Sequence, residues 1–143
     1  MLAESAASRR KAIEITADLS IPRLFVTLRE AATGPGVAEA LSRLYLQQPE
    51  VAPLDKLYDL TAYGGVATHD DLLVIVDAYL KAKVDPRHPC RTAFVTSDPH
   101  FELWAKAMSH LFPGREHRAF AAREPALAFL DEPMDQRPPF TGD

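Results

Sequence analysis

Apolar positions recur every second residue in some stretches of the chain and every third or fourth in others, and the two regimes alternate. Ile13 and Ile15 alternate with Glu14 and Thr16, and Leu24, Val26 and Leu28 alternate with Arg23, Thr27 and Arg29, with Phe25 on the second face. A turn-like break over 18–22 separates the two runs, which predicts an antiparallel hairpin. Thr33-Gly34-Pro35-Gly36 then opens a helix with the stripe Val37, Ala40, Leu41, Leu44 and Tyr45, ending before Pro49. Residues 56–61 return as a strand, and a loop over 62–68 contains Gly64 and Gly65. A second helix carries Leu72, Ile75, Val76, Tyr79 and Leu80, with Asp70 and Asp71 where the helix dipole favours negative charge and Lys81 and Lys83 at its end. After a break at 86–89, the short apolar run 92–96 suits a central strand covered on both faces. Asp98 is the expected N-cap of a third helix, with Pro99 at its first position and a stripe of Phe101, Trp104, Ala107, Met108 and Leu111. Pro113-Gly114 stops it, 117–120 forms the last strand, and Glu124-Pro125 starts a closing helix that buries Ala126, Phe129 and Leu130.

The predicted order is β-β-α-β-α-β-α-β-α. It implies an α/β fold with a mixed sheet: an N-terminal antiparallel hairpin, then parallel strands joined by right-handed helical crossovers. Ligands of such sheets sit at the carboxyl ends of the strands. Residues 1–10 read as a flexible arm and 11–131 as one domain. Residues 132–143, with Pro133, Pro138, Pro139 and Gly142, read as an extended tail.

Four local features carry a family resemblance: the opening hairpin, the strand Leu57-Tyr58-Asp59-Leu60-Thr61, the strand Arg91-Thr92-Ala93-Phe94-Val95-Thr96 before an amphipathic helix, and the ending Arg118-Ala119-Phe120 through Glu124-Pro125-Ala126-Leu127-Ala128-Phe129-Leu130. Together they resemble the STAS-like group, in particular its SpoIIAA-like branch, also labelled STAS/SEC14-like, over residues 12–131. The motifs are structural rather than catalytic. In the anti-sigma-factor antagonists of that group, a serine in an Asp-Ser pair at the start of the second helix is phosphorylated, which breaks binding to a kinase-like partner. Here the nearest hydroxyl is Thr68, followed by His69, Asp70 and Asp71, and the loop has no Asp-Ser pair. A phosphate on Thr68 would face two carboxylates within a turn, so the weak phosphoacceptor reading competes with a plain N-cap.

Composition narrows the classes of role. The chain has 143 residues, 47% hydrophobic and 25% charged, which excludes a disordered chain, a coiled coil and a disulfide scaffold. A net charge of -4 supplies no field for nucleic acid or anionic lipid surfaces. No segment reaches the roughly 20 apolar residues of a membrane span, and the first residues do not form a secretory signal, so a cytoplasmic location is expected. Cys90 is the only cysteine, which rules out an intrachain disulfide.

Candidate chemistry is sparse. Asp59, Thr61 and Tyr63 leave the third strand, while Ser97, Asp98 and His100 leave the fourth. With Thr68 these residues can line a shallow polar pocket at the carboxyl edge of the sheet, where helix N–H groups face an anion. Ser97, Asp98 and His100 supply the residue types of a hydrolase at one helix end, but residues so close in sequence rarely aim at a common point. No phosphate-binding glycine loop is present, because Gly34-Pro35-Gly36 lacks the later glycine. His88-Pro89-Cys90 and His69-Asp70-Asp71 lack a second ligand pair at a recognised spacing, so neither a metal nor a cofactor is implied. His110 and His117 are expected to be solvated, and Cys90 to be a small filler before a buried strand. Leu73 and Val74 lie beside the stripe of the second helix and, with Tyr79, make a candidate interface.

Two classes of role compete. One is a non-catalytic regulatory or protein-interaction module, able to pair with a second copy of itself. The other is a SEC14-like carrier that holds a small apolar or lipid-like ligand between the second and third helices. An enzyme ranks third.

Overall fold

The computed structural model describes residues 12–133 except 67, 86, 88 and 113. The expected arm at 1–10 and most of the expected tail lie outside these residues. The elements are β1 (Ile13–Asp18), β2 (Arg23–Leu28), α1 (Gly34–Gln47), β3 (Asp55–Asp59), α2 (His69–Lys81), β4 (Cys90–Val95), α3 (Phe101–Leu111), β5 (Arg115–Phe120) and α4 (Arg123–Asp131), with a short 3-10 turn at Pro49–Val51. This is the order expected from the periodicity. The five strands lie side by side in sequence order. β1 runs antiparallel to β2, from Ile13 opposite Leu28 to Asp18 opposite Arg23, and every later pair is parallel.

Strand alternation divides the core in two. Leu24, Val26, Tyr58, Leu60 and Phe94 face α1, α2 and α3 in the larger cluster. Leu57, Ala93 and Val95 face Ala126, Phe129 and Leu130 of α4 on the other side. β4 lies between β3 and β5 with a layer on each face, and all six of its residues are buried. The α4 layer is clasped by Arg91, which donates to the Phe129 carbonyl oxygen at 3.0 Å and to Glu132 Oε2 at 2.8 Å while its guanidinium stacks over the Phe129 ring. Arg23 adds a contact to Asp131 Oδ1 at 2.9 Å.

Several boundaries differ from the sequence expectation. β3 and β4 end at Asp59 and Val95, short of Thr61 and Thr96. α3 starts at Phe101, with His100 rather than Asp98 in the cap position. Asp98 caps the preceding turn instead: its Oδ1 accepts from the His100 N–H at 2.9 Å and its carbonyl from the Phe101 N–H at 3.1 Å. An Asx turn therefore precedes the helix. β5 begins two residues before His117, and this imidazole is buried, 6% exposed, not solvated. It stacks on Phe94 with ring centres 5.8 Å apart, because the parity of the strand turns it towards the helix layer.

Candidate functional site

Between the sheet and helices α1, α2 and α3 lies a cavity of about 250 Å³. Its walls are apolar: Val37 and Leu41 come from α1, Ile75 from α2, Phe101, Trp104 and Met108 from α3, and Tyr58 and Phe94 from the sheet. Its mouth lies at the carboxyl ends of β3 and β4, where Tyr63, Gly65, Val66, Thr96 and Asp98 line it together with Asp71 of α2. Gly65 is required there, since a Cβ would come within 2.8 Å of the Ala32 carbonyl oxygen and 2.7 Å of the Tyr63 ring.

The floor lies at the opposite, amino ends of the strands and is polar. Lys56, Thr92 and His117 are register neighbours across β3, β4 and β5, and Arg115 and Tyr79 join them in the lining. From Lys56 to Leu60 the strand advances about 13 Å, which sets the depth of the site. Lys56 and Arg115 are each only 1% exposed. Both are bound to the same two oxygens. The Ala52 carbonyl accepts from Lys56 Nζ at 2.6 Å and from Arg115 Nη2 at 2.7 Å, and the Leu54 carbonyl accepts from them at 3.2 and 2.8 Å. Arg115 Nη1 also donates to Thr92 Oγ1 at 2.9 Å and to the Arg91 carbonyl oxygen at 3.2 Å. Among the described residues, neither cation has a carboxylate within ion-pair distance.

This crowding has electrostatic consequences. Burial, followed by the Arg115 guanidinium, pushes the Lys56 amine well below its ordinary pKa. Burial, then Arg115 and Lys56, holds His117 well below the usual imidazole range. Burial raises the Tyr79 phenol against the opposing pull of Arg115. The Arg115 guanidinium carbon lies 5.6 Å from the centre of the Tyr79 ring, yet Tyr79 Oη and Arg115 Nε complete no hydrogen bond. His117 Nδ1 and, nearer the mouth, Tyr63 Oη are likewise buried without a partner.

The cavity departs from the shallow polar pocket expected from the sequence. It is deep, with apolar walls, and of the seven residues expected to line it only Tyr63 and Asp98 do so. Asp59 projects from the other parity of β3, and its Oδ1 accepts from the Thr61 N–H at 3.0 Å and hydroxyl at 2.7 Å. Ser97 and His100 are exposed. Thr68 is the N-cap of α2 in a full capping box: its hydroxyl accepts from the Asp71 N–H at 3.2 Å and Asp71 Oδ2 accepts from the Thr68 N–H at 2.9 Å.

Tyr79 requires a correction as an interface residue. It shares the inward face of α2 with Leu72, Ile75 and Val76, is 2% exposed, and packs edge-on against Tyr45 and Phe112. Leu73 and Val74 are on the outer face, 43% and 49% exposed. Cys90 is buried, with its thiol directed at the Pro53 carbonyl oxygen. Lys56 and Arg115 were not among the expected site residues. The signal for Lys56 was its period-two phase with Tyr58 and Leu60, which places it under the helices.

No helix among the described residues is long and apolar enough to cross a membrane. A solved structure of an uncharacterised DUF3478-family protein from Shewanella loihica PV-4, which has a SpoIIAA-like fold, matches the chain with a TM-score of 0.56 at 19% sequence identity, covering 83% of this chain and 92% of that one. The fold of this chain is thus SpoIIAA-like, as the sequence resemblance implied. No family model matches the chain, and no curated protein matches it.

Proposed function

We propose that this SpoIIAA-like fold serves as a non-catalytic binding module that holds a small apolar or lipid-like molecule in the cavity between its sheet and α1, α2 and α3. The observation that carries this reading is the 250 Å³ space itself. Protein interiors are packed with few voids larger than a water molecule, and an apolar cavity of about 150 Å³ accepts benzene. On that scale the site takes a ligand of roughly ten non-hydrogen atoms.

Trp104, the only tryptophan in the chain, lines the cavity and reports its contents. Titration of the full chain with 1-octanol should shift Trp104 emission in a saturable manner, and Val37→Phe with Ile75→Phe should remove the response by filling the space. An unchanged emission at the solubility limit of octanol would rule the reading out.

The exposed Leu73 and Val74 favour a second reading, in which the outer face of α2 binds a protein partner or a second copy as part of a regulatory, STAS-type role.

A further inference from the structure

The floor of the cavity is built unlike its walls. Two basic side chains, Lys56 and Arg115, converge on the shared carbonyls of Ala52 and Leu54, and among the described residues no carboxylate lies within ion-pair distance of either. A buried charge is normally paired or neutralised, and a second basic group at the same pair of acceptors raises that cost. Apolar residues of similar volume would fill this space at lower cost. Beside the cations, Tyr79 Oη and Arg115 Nε lie buried without a hydrogen bond, and both belong to residues lining the cavity. A structure that retains two buried basic groups without a carboxylate in contact, next to unused polar atoms at the closed end of an apolar slot, is shaped for a negative group delivered from inside the slot.

We propose that the cavity binds a small amphipathic monocarboxylate, its carboxylate seated on the floor at Arg115, Lys56 and Tyr79 and its apolar body lying between α2, α3 and the sheet. The proposal rests on the cavity being a ligand site and adds the chemical class of the ligand. Orientation follows from charge. Asp71 and Asp98 line the mouth, where they repel an anionic head, whereas the floor attracts it. The depth of about 13 Å and the capacity of roughly ten non-hydrogen atoms suit a medium-chain fatty acid or an aryl-substituted short acid. Octanoate is the probe used for this class.

The test compares octanoate with 1-octanol, which has the same chain and no charge, by calorimetric titration of the full chain at neutral pH. Octanoate should bind about tenfold more tightly or better, the increment of a charge-assisted hydrogen bond to a buried cation. Lys56→Met should narrow the gap between the two affinities, with Arg115 left to hold the remainder. Tyr79→Phe keeps the ring packing and removes the hydroxyl that lies against Arg115, so it should weaken octanoate several-fold and octanol hardly at all. This variant keeps the question open to test even if Lys56→Met does not fold. Equal affinity for octanol and octanoate would overturn the carboxylate site and leave the apolar cavity standing. Binding of neither would remove both. Octanoate binding unaffected by Tyr79→Phe and Lys56→Met would place the acid elsewhere and overturn the proposal.

Discussion

His117 shows how one buried side chain ties stability to pH. Its imidazole is stacked on Phe94, close to Phe112, and faced by the charges of Arg115 and Lys56, so its folded pKa lies well below 6.5. The unfolded chain takes up a proton near pH 6.5 and the folded one does not, so stability is fully present above that pH and falls as the pH drops below it. The slope from this one group reaches about 1.4 kcal/mol per pH unit, above the range where carboxylates titrate. Urea unfolding at pH 7.5, 6.5 and 5.5 should show the midpoint dropping over the last step, and His117→Phe should flatten that drop. A midpoint independent of pH across this range would mean that the imidazole is charged or solvated in the folded state. The burial of His117 was legible in principle, since it shares its parity with Ala119. Its neighbours were not, because two basic residues on the inward face of strands contradict the rule that charge lies outside, and the apolar pattern gives no warning of such an exception.

At the scale of elements, α4 depends on contacts rather than on its own propensity. It has nine residues, Ala122 at its N-cap supplies no side-chain hydrogen bond, and a helix this short is unstable alone. What secures its C-terminal end is Arg91, with two hydrogen bonds to Glu132, one to the Phe129 carbonyl and a cation-π contact on the Phe129 ring. Arg91→Ala should therefore cost about 2–3 kcal/mol, most of it from packing and the orphaned Phe129 carbonyl, because Glu132 is partly solvated and its charge screened. The measurement is denaturant unfolding combined with hydrogen exchange, and the amides of Ala126, Phe129 and Leu130 should lose protection first. An intact α4 in the variant would assign its stability to the apolar face and the Arg23–Asp131 contact. α4 and its buried triad were predictable from the 3.6-residue period; the clasp was not, because it joins residues about forty positions apart. The caps divide in the same way. Thr68 was legible because both halves of its capping box lie within four residues, whereas Asp98 was misplaced because an Asx turn and an N-cap use the same side chain and differ only in the φ and ψ that follow.

For the whole molecule, sheet order and layering were readable because each alternation of period marks a passage between sheet and helix layer. A cavity has no such signature, since its lining residues carry the same apolar stripe that would fill a solid core. The sequence-level question of whether the second helix faces a partner or a ligand consequently has a divided answer. Its inner face, with Leu72, Ile75 and Tyr79, lines the cavity, and its outer face presents Leu73, Val74 and Leu80 to solvent. These two faces can be tested independently. Leu73→Glu with Val74→Glu alters exposed positions that line no part of the cavity, so stability should stay within about 0.5 kcal/mol and the Trp104 response to octanol should be unchanged. If the outer face joins two copies, sedimentation velocity should show a concentration-dependent increase for the natural chain and a flat value for the double variant. A large loss of stability would instead mark Leu73 and Val74 as packing residues, and a lost octanol response would couple the two faces through α2, making occupancy of the cavity and contact at the surface a single equilibrium.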